Sequence, residues 1–335
     1  MTSVAGIEQE LTDHGLAFLA RSISSLRDEE SSRGPLFAVV DVAVAIEALL
    51  KARLAREHWS LVLADPDRAS LSDFRAGKAK TVSPASAISR LKKIAGVELP
   101  VSGNHIEEVF SLRNRTMHFT VPSDLESIGV RATYGRALNA ALSILEGEFR
   151  GRVDRATGRQ INEVIEALMA EVVEINSLVT DRMTAISPEL SAADLYLECP
   201  RCRQFALTFS EQSEEVSCAF CLWRSEAPDL AAFEYVTTVQ DVSEYEIVTD
   251  GDQWPIWGCW NCEQHAVVEV GPRDRSHLRS RSGDDSHPSN FYACFGCAST
   301  GEIGRFSLCS ICARTLTDDV GTCPTCFAEA VHRND

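Results

Sequence analysis

Apolar residues recur at helical spacing through Ile7, Leu11, Leu16, Leu19, Ile23 and Leu26, and again through Phe37, Val40, Val44, Ala45, Ile46, Leu49 and Leu50. A stripe of that period turns one helix face toward a core, so two amphipathic helices are expected. Ser83-Pro84 supplies an N-cap followed by proline in the first turn, opening a helix that carries Ile88, Leu91 and Ile94. Another helix is expected from about Asn104 through Val109, Phe110 and Leu112 to His118, with Val121-Pro122 ending it. Ser123 and Glu126 form a capping box for a helix reaching about Phe149, and residues 155–184 read as one more long helix. Residues 65–81 read as connecting loops. The pattern predicts an all-α bundle.

Beyond residue 190 the pattern changes. Phe205–Phe209 is a short strand-like run between two cysteine pairs, and the charge shifts with it. Residues 1–190 hold 22 Lys and Arg against 26 Asp and Glu, whereas residues 191–335 hold 10 against 23. All five lysines lie in the first part. This change, near Ser187-Pro188, marks the expected domain boundary. The expected domains are 1–190 (helical), then zinc ribbons over 191–230, 231–300 (with a polar insert at 271–290) and 301–335. A multidomain fold follows, helical first and β-rich after.

The longest apolar stretch, Phe37 to Ile46, is interrupted by Asp41 and is far below the roughly 20 residues of a membrane span. The first residues contain no basic segment followed by an apolar one, so no signal peptide and no membrane association are expected. A cytoplasmic location follows from these features, and in a reducing compartment paired cysteines read as metal thiolates sooner than as disulfides.

All twelve cysteines fall in six C-x-x-C pairs: Cys199/Cys202, Cys218/Cys221, Cys259/Cys262, Cys294/Cys297, Cys309/Cys312 and Cys323/Cys326. Two-residue spacing lets both sulfurs of one tight turn face a single ion, and two such turns complete a tetrahedron of thiolates. Three structural zinc ions would use every cysteine. Pairing in sequence order is the simplest scheme, although Cys259/Cys262 could join Cys309/Cys312 in a crossed one. Four thiolates leave no coordination position open for substrate. Three Zn(Cys)4 centres would make this half still more negative, which argues against wrapping a phosphate backbone and for binding a protein partner. The insert, with Arg273, Arg275, Arg279 and Arg281, is the basic exception and reads as a solvated loop. Trp254, Trp257 and Trp260 read as a small core for a ribbon rather than a base-stacking platform. His265, three residues after Cys262, is a spare ligand that twelve cysteines make unnecessary.

The stretch LRNRTMHF contains Arg113, Asn114 and His118, and an earlier helix carries Glu47 and Lys51 within AIEALLKA. Together these resemble the R-x(4-6)-H signature and second-helix segment of the HEPN family of small helical ribonucleases, over roughly residues 34–150. On a helix Asn114 and His118 share a face, with Arg113 about 100° round it. Arg53/His58 and Arg281/His287 have similar spacings but lack that context. HEPN toxins silenced by nucleotide addition carry a tyrosine two residues past the histidine, where this chain has Thr120.

The resemblance implies a prokaryotic toxin or phage-defence setting and metal-independent cleavage of RNA through its 2'-hydroxyl. His118 would move the proton, Arg113 would stabilise the phosphorane and Asn114 would orient the pair, with Glu47 and Lys51 in support. It also implies a homodimer. Lys78, Lys80, Arg90, Lys92 and Lys93 are a candidate path for the RNA backbone. The rival expectation is a non-catalytic dimerising bundle whose acidic zinc array docks a protein. In that case Arg113 would merely pair with Glu47 or Glu108, and His118 would cap a helix end.

Overall fold

The computed structural model describes the chain except residues 1–5, 28–32, 100–102, 119–126, 194, 210–214, 226, 244, 246, 248, 250–253, 272–290, 303–306, 313–314, 317–320, 324, 328–330 and 332–335. The Val121-Pro122 stop, the Ser123/Glu126 capping box, Thr120, the four arginines of the insert and His287 lie outside the described residues. The chain divides into two compact units, Met1–Ala185 and Ile186–Asp335.

The first unit is built on α2 (Gly34–Glu57), which packs against α1 (Gly6–Arg27), α4 (Pro84–Ile94), α5 (Gly103–His118) and α6 (Ser127–Ile144). Its sequence explains the central place. Ala38, Val39, Val42, Ala43, Ala45, Ile46, Leu49, Leu50, Ala52 and Leu54 occupy several faces and are buried, and a helix apolar nearly all round is stable only when surrounded. A Cβ at Gly15 of α1 would lie 3.0 Å from Leu49 Cγ, so this glycine sets how closely α1 approaches α2. Buried Asp41 is satisfied from α1, accepting from Arg21 Nε at 3.0 Å and Ser25 Oγ at 3.0 Å. Such pairing is what allows a carboxylate inside an apolar interface.

Residues 65–81 contain more structure than a loop. They hold a 3-10 turn, the short helix α3 (Leu71–Arg75) and a β-bridge from Thr81 to Leu63. Ser83 caps α4 by accepting from Ser86 N, with Pro84 at the first position. The stretch read as one helix over 155–184 is two, α7 (Arg155–Val172) and α8 (Asn176–Ala192). The division falls where Glu174 N bonds Glu171 O and Ile175 N bonds Val172 O, three-residue bonds that tighten and end a helix. Apolar Val172, Ile175 and Val179 keep helical spacing across the break, so periodicity does not reveal it. Helix α8 continues through Pro188, so the compositional boundary at Ser187-Pro188 falls inside a helix. Among the described residues, no helix is long and apolar enough to cross a membrane.

The second unit contains two four-stranded antiparallel sheets with the same strand order. One comprises β1 (Leu195–Glu198), β2 (Phe205–Phe209), β3 (Val216–Cys218) and β4 (Arg224–Ser225). The other comprises β5 (Ile256–Gly258), β6 (His265–Val270), β7 (Phe291–Cys294) and β8 (Thr300–Glu302). Leu197 pairs with Leu207 in the first and Trp257 with Val267 in the second, each just before a bulge. The two are copies of one module, with the polar insert in the β6–β7 connection. Between them, α9 (Pro228–Thr238) buries Ala231, Ala232, Tyr235 and Val236. Phe295 stands edge-on to Phe209 at 4.8 Å and to Tyr235 at 5.3 Å, locking the ribbons together. A two-stranded sheet of β9 (Ser307–Leu308) and β10 (Thr315–Leu316) follows. Fully buried Thr315 donates to Gly258 O at 2.8 Å, tying it to the second ribbon.

Candidate metal centres and candidate catalytic surface

Each cysteine pair of the two ribbons sits in the same turn. The N–H of the first cysteine donates to the carbonyl five residues on, as Cys199 to Gln204, Cys218 to Trp223, Cys259 to Gln264 and Cys294 to Ser299. The N–H four residues on returns to the first cysteine's carbonyl, from Arg203, Leu222, Glu263 and Ala298. Those four residues all have φ between 55° and 63°. A left-handed conformation is uncommon for side chains other than glycine, and holding four of them there requires strong closure of the turn. Backbone N–H groups of Arg201, Asn261 and Gly296 point at the sulfurs of Cys199, Cys259 and Cys294 at 3.3–3.4 Å, which stabilises thiolate charge.

The turns meet in sequence order. Cys199, Cys202, Cys218 and Cys221 form one set, Cys259, Cys262, Cys294 and Cys297 a second, and Cys309, Cys312, Cys323 and Cys326 a third. Within each set all four sulfurs lie within 4.8 Å of one another. Cross-turn separations are 3.8 Å for Cys199–Cys221 and 3.7 Å for Cys202–Cys218, Cys259–Cys297, Cys262–Cys294 and Cys312–Cys323. A tetrahedral ion with Zn–S bonds of about 2.3 Å requires S···S of about 3.8 Å. The donor sets therefore fit zinc. The crossed pairing of Cys259/Cys262 with Cys309/Cys312 does not occur, and His265, exposed on β6, belongs to none of the sets.

The thiols of a set perturb one another. The bond from Cys294 holds Cys259 down at about 5, and burial pushes Cys262 up to about 11. In the third set burial raises Cys309, but backbone N–H groups led by that of Cys323 outweigh it and hold the thiol at about 6. Cys326, bonded to Cys312, is pushed up to about 12. Support from further out is not visible in the motif. Asn261 Nδ2 reaches Cys297 Sγ at 3.6 Å and Ser299 Oγ at 3.2 Å. A Cβ at Gly296 would lie 2.1 Å from Gln264 Oε1 and 3.3 Å from Cys262 Sγ, so a larger residue there would displace the end of the Gln264 side chain and press on a ligand sulfur. Trp257 and Trp260 pack on the second cysteine set, Trp257 also edge-on to Tyr292 at 5.2 Å, and Trp254 packs on Phe233 at 4.8 Å.

In the helical unit, Arg113 Nη2 donates to Glu47 Oε2 at 3.0 Å and Nη1 to Asn114 Oδ1 at 3.0 Å. The other Glu47 oxygen accepts from Lys51 Nζ at 2.6 Å, and Lys51 also donates to Thr81 Oγ1 at 2.9 Å. One carboxylate thus holds two cations on two helices, at side-chain exposures of 12% for Lys51, 20% for Glu47 and 28% for Arg113. The alternative partner Glu108 is engaged by Arg136 at 2.6 Å and Thr133 at 3.2 Å. His118 is exposed at the end of α5, one turn beyond Asn114, and forms no hydrogen bond to another described residue. Beside this group, a cleft of about 610 Å³ opens between the start of α4 and α5. Ile88, Ile106 and Phe110 line it, with Asn114 and Arg115 also in its wall.

The basic residues are less uniform than a continuous path. Arg90 donates to the carbonyls of Leu61, Leu63 and Ala64 at 2.5–2.8 Å, bracing the turn before residue 65. Lys92 pairs with Glu98 at 2.8 Å. Lys78, Lys80 and Lys93 are exposed. The look-alike pair is absorbed by the fold: buried Arg53 binds Glu148 at 2.8 Å and Glu57 at 2.7 Å, and His58 caps the turn Trp59–Val62.

The chain matches no family model, and no curated protein or solved structure matches it.

Proposed function

We propose that this chain is a metal-independent endoribonuclease of the HEPN type whose C-terminal modules hold three structural zinc ions. One observation carries the catalytic reading: Arg113, held by Glu47, donates to Asn114, and one turn further along the same helix stands an exposed imidazole with no hydrogen bond to another described residue. Cleavage forms a bond from the 2'-oxygen to phosphorus and breaks the bond from phosphorus to the 5'-oxygen, leaving a 2',3'-cyclic phosphate and a 5'-hydroxyl. One His118 accepts the 2'-hydroxyl proton while the His118 of a second copy donates to the leaving 5'-oxygen, so the working form is a homodimer. Arg113 meets the charge that develops on the phosphorane, and Asn114 orients it.

The acidic zinc array serves a protein partner rather than the RNA, since its charge opposes a phosphate backbone. A second reading is favoured by the same ion pair: an arginine already held by Glu47 can be purely structural, in a bundle that only binds. Assaying RNA cleavage in EDTA with wild type and His118→Ala separates the two. Loss of cleavage in a variant that keeps its fold and dimer supports catalysis, and wild-type cleavage by that variant removes it.

A further inference from the structure

The cleft beside α5 has a role that the cleavage chemistry itself does not require. We infer that it is a guanine-binding subsite for the RNA strand cut at Arg113, Asn114 and His118; the polymer's identity rests on the ribonuclease reading. Its walls are apolar where Ile88 of α4 faces Ile106 and half-buried Phe110 of α5. Unstacked RNA bases seat on such aromatic faces and are then read along their hydrogen-bonding edges. A volume of about 610 Å³ lies in the range of small-ligand clefts.

Continuity with the catalytic surface identifies the occupant. The Phe110 ring lies 5.9 Å from Arg113 Cζ, and Asn114 belongs to both places. Asn114 Oδ1 accepts from Arg113 Nη1, which leaves Asn114 Nδ2 to donate outward. Arg115, exposed at the same end of the cleft, suits a phosphate. One and two helical turns back, exposed Ser111 and Glu107 line the same cleft, four residues apart on one face of α5. Glu107 forms no ion pair among the described residues, in contrast to its neighbour Glu108.

A carboxylate presents two acceptors side by side. Guanine alone among the four bases offers two adjacent donors, N1–H and the 2-amino group, on the edge that faces such a pair. Adenine and cytosine set one amino group beside an acceptor, and uracil sets one N–H between two carbonyls. Ser111 then donates to guanine O6, while Phe110 and Ile88 hold the ring.

The test uses the whole 335-residue chain and 2'-O-methyl pentanucleotides, four uridines around a central G, A, C or U, which bind but lack the nucleophile. Fluorescence anisotropy should show the G ligand bound about tenfold more tightly than the others, and Glu107→Gln should abolish that difference. Phe110→Leu, checked for fold by circular dichroism, should weaken all four. Equal affinity for the four ligands, or a G preference that survives Glu107→Gln, overturns the subsite. A G preference in a protein that cleaves no RNA supports the subsite and removes the ribonuclease reading. Cleavage in EDTA with no base preference does the reverse.

Discussion

Arg113 of α5 donates to Glu47 of α2 at 3.0 Å, joining positions 66 residues apart in sequence. Because Glu47 also holds Lys51, the carboxylate is the fixed point of the group: removing its charge leaves two cations less than one-third exposed without their partner. Glu47→Gln keeps the shape and removes only the charge. Its expected effect is a loss of about 1–2 kcal/mol from the helical unit, seen as a lower thermal midpoint, and, on the proposed ribonuclease reading, a larger loss of RNA cleavage. An unchanged midpoint and unchanged cleavage would mean that the pair positions nothing.

Elemental analysis should return close to three zinc ions per chain. Cys312→Ser, in the module whose described residues form a two-stranded sheet, should lose one ion and leave two. Cys294→Ser should lose more than its own ion, because neighbouring Phe295 is the ring on which Phe209 of the first ribbon and Tyr235 of α9 pack. Equal losses of one ion in both variants would show that the ribbons fold independently.

Gly296→Ala tests the second centre without touching a ligand. The added methyl would meet Gln264 Oε1 at 2.1 Å and Cys262 Sγ at 3.3 Å, so the end of the Gln264 side chain has to swing away and the ligand sulfur has to give by a few tenths of an ångström. The variant should bind zinc at the second site at least tenfold more weakly in competition with a chelator, at a cost of about 1–3 kcal/mol. Wild-type affinity would show that the turn yields freely.

Proton release gives the pH dependence. Without metal near neutral pH, Cys259, held at about 5, is a thiolate, while Cys262, at about 11, keeps its proton, as does Cys294, which its bond to Cys259 raises further. In the metal-free fold the depressed Cys259 contributes stability that is lost as pH falls through about 5, and the raised Cys262 contributes stability that is lost as pH rises through about 11. Zinc takes the thiolate form of all four, so binding expels protons and affinity falls with falling pH. Calorimetry in buffers of different ionisation heat should record more than one proton released per ion. Affinity that does not vary between about pH 6 and pH 8 would contradict this.

Local chemistry was legible along the chain. The two-residue cysteine spacing prescribes the knuckles at Cys199, Cys218, Cys259 and Cys294, which share the same backbone bonds despite their different fillings. Ser83-Pro84 starts α4, and the apolar stripes place α1, α2 and α5, because caps and helical periods act within a few residues. What spacing leaves open is choice among distant partners. Lengthening a loop twofold adds only about 0.6 kcal/mol of closure entropy, so sequence distance could not decide whether Cys259/Cys262 would meet Cys294/Cys297 or Cys309/Cys312. The strand register of β6 with β7, which sets Val267 opposite Cys294, decided it. In the same way Arg113 had two acidic candidates in sequence, and the packing of α5 on α2 brought it to Glu47, while Glu108 turned to Arg136 on α6. The cleft beside Asn114 exists only because α4 and α5 enclose it, a geometry that no single helix carries in its own residues.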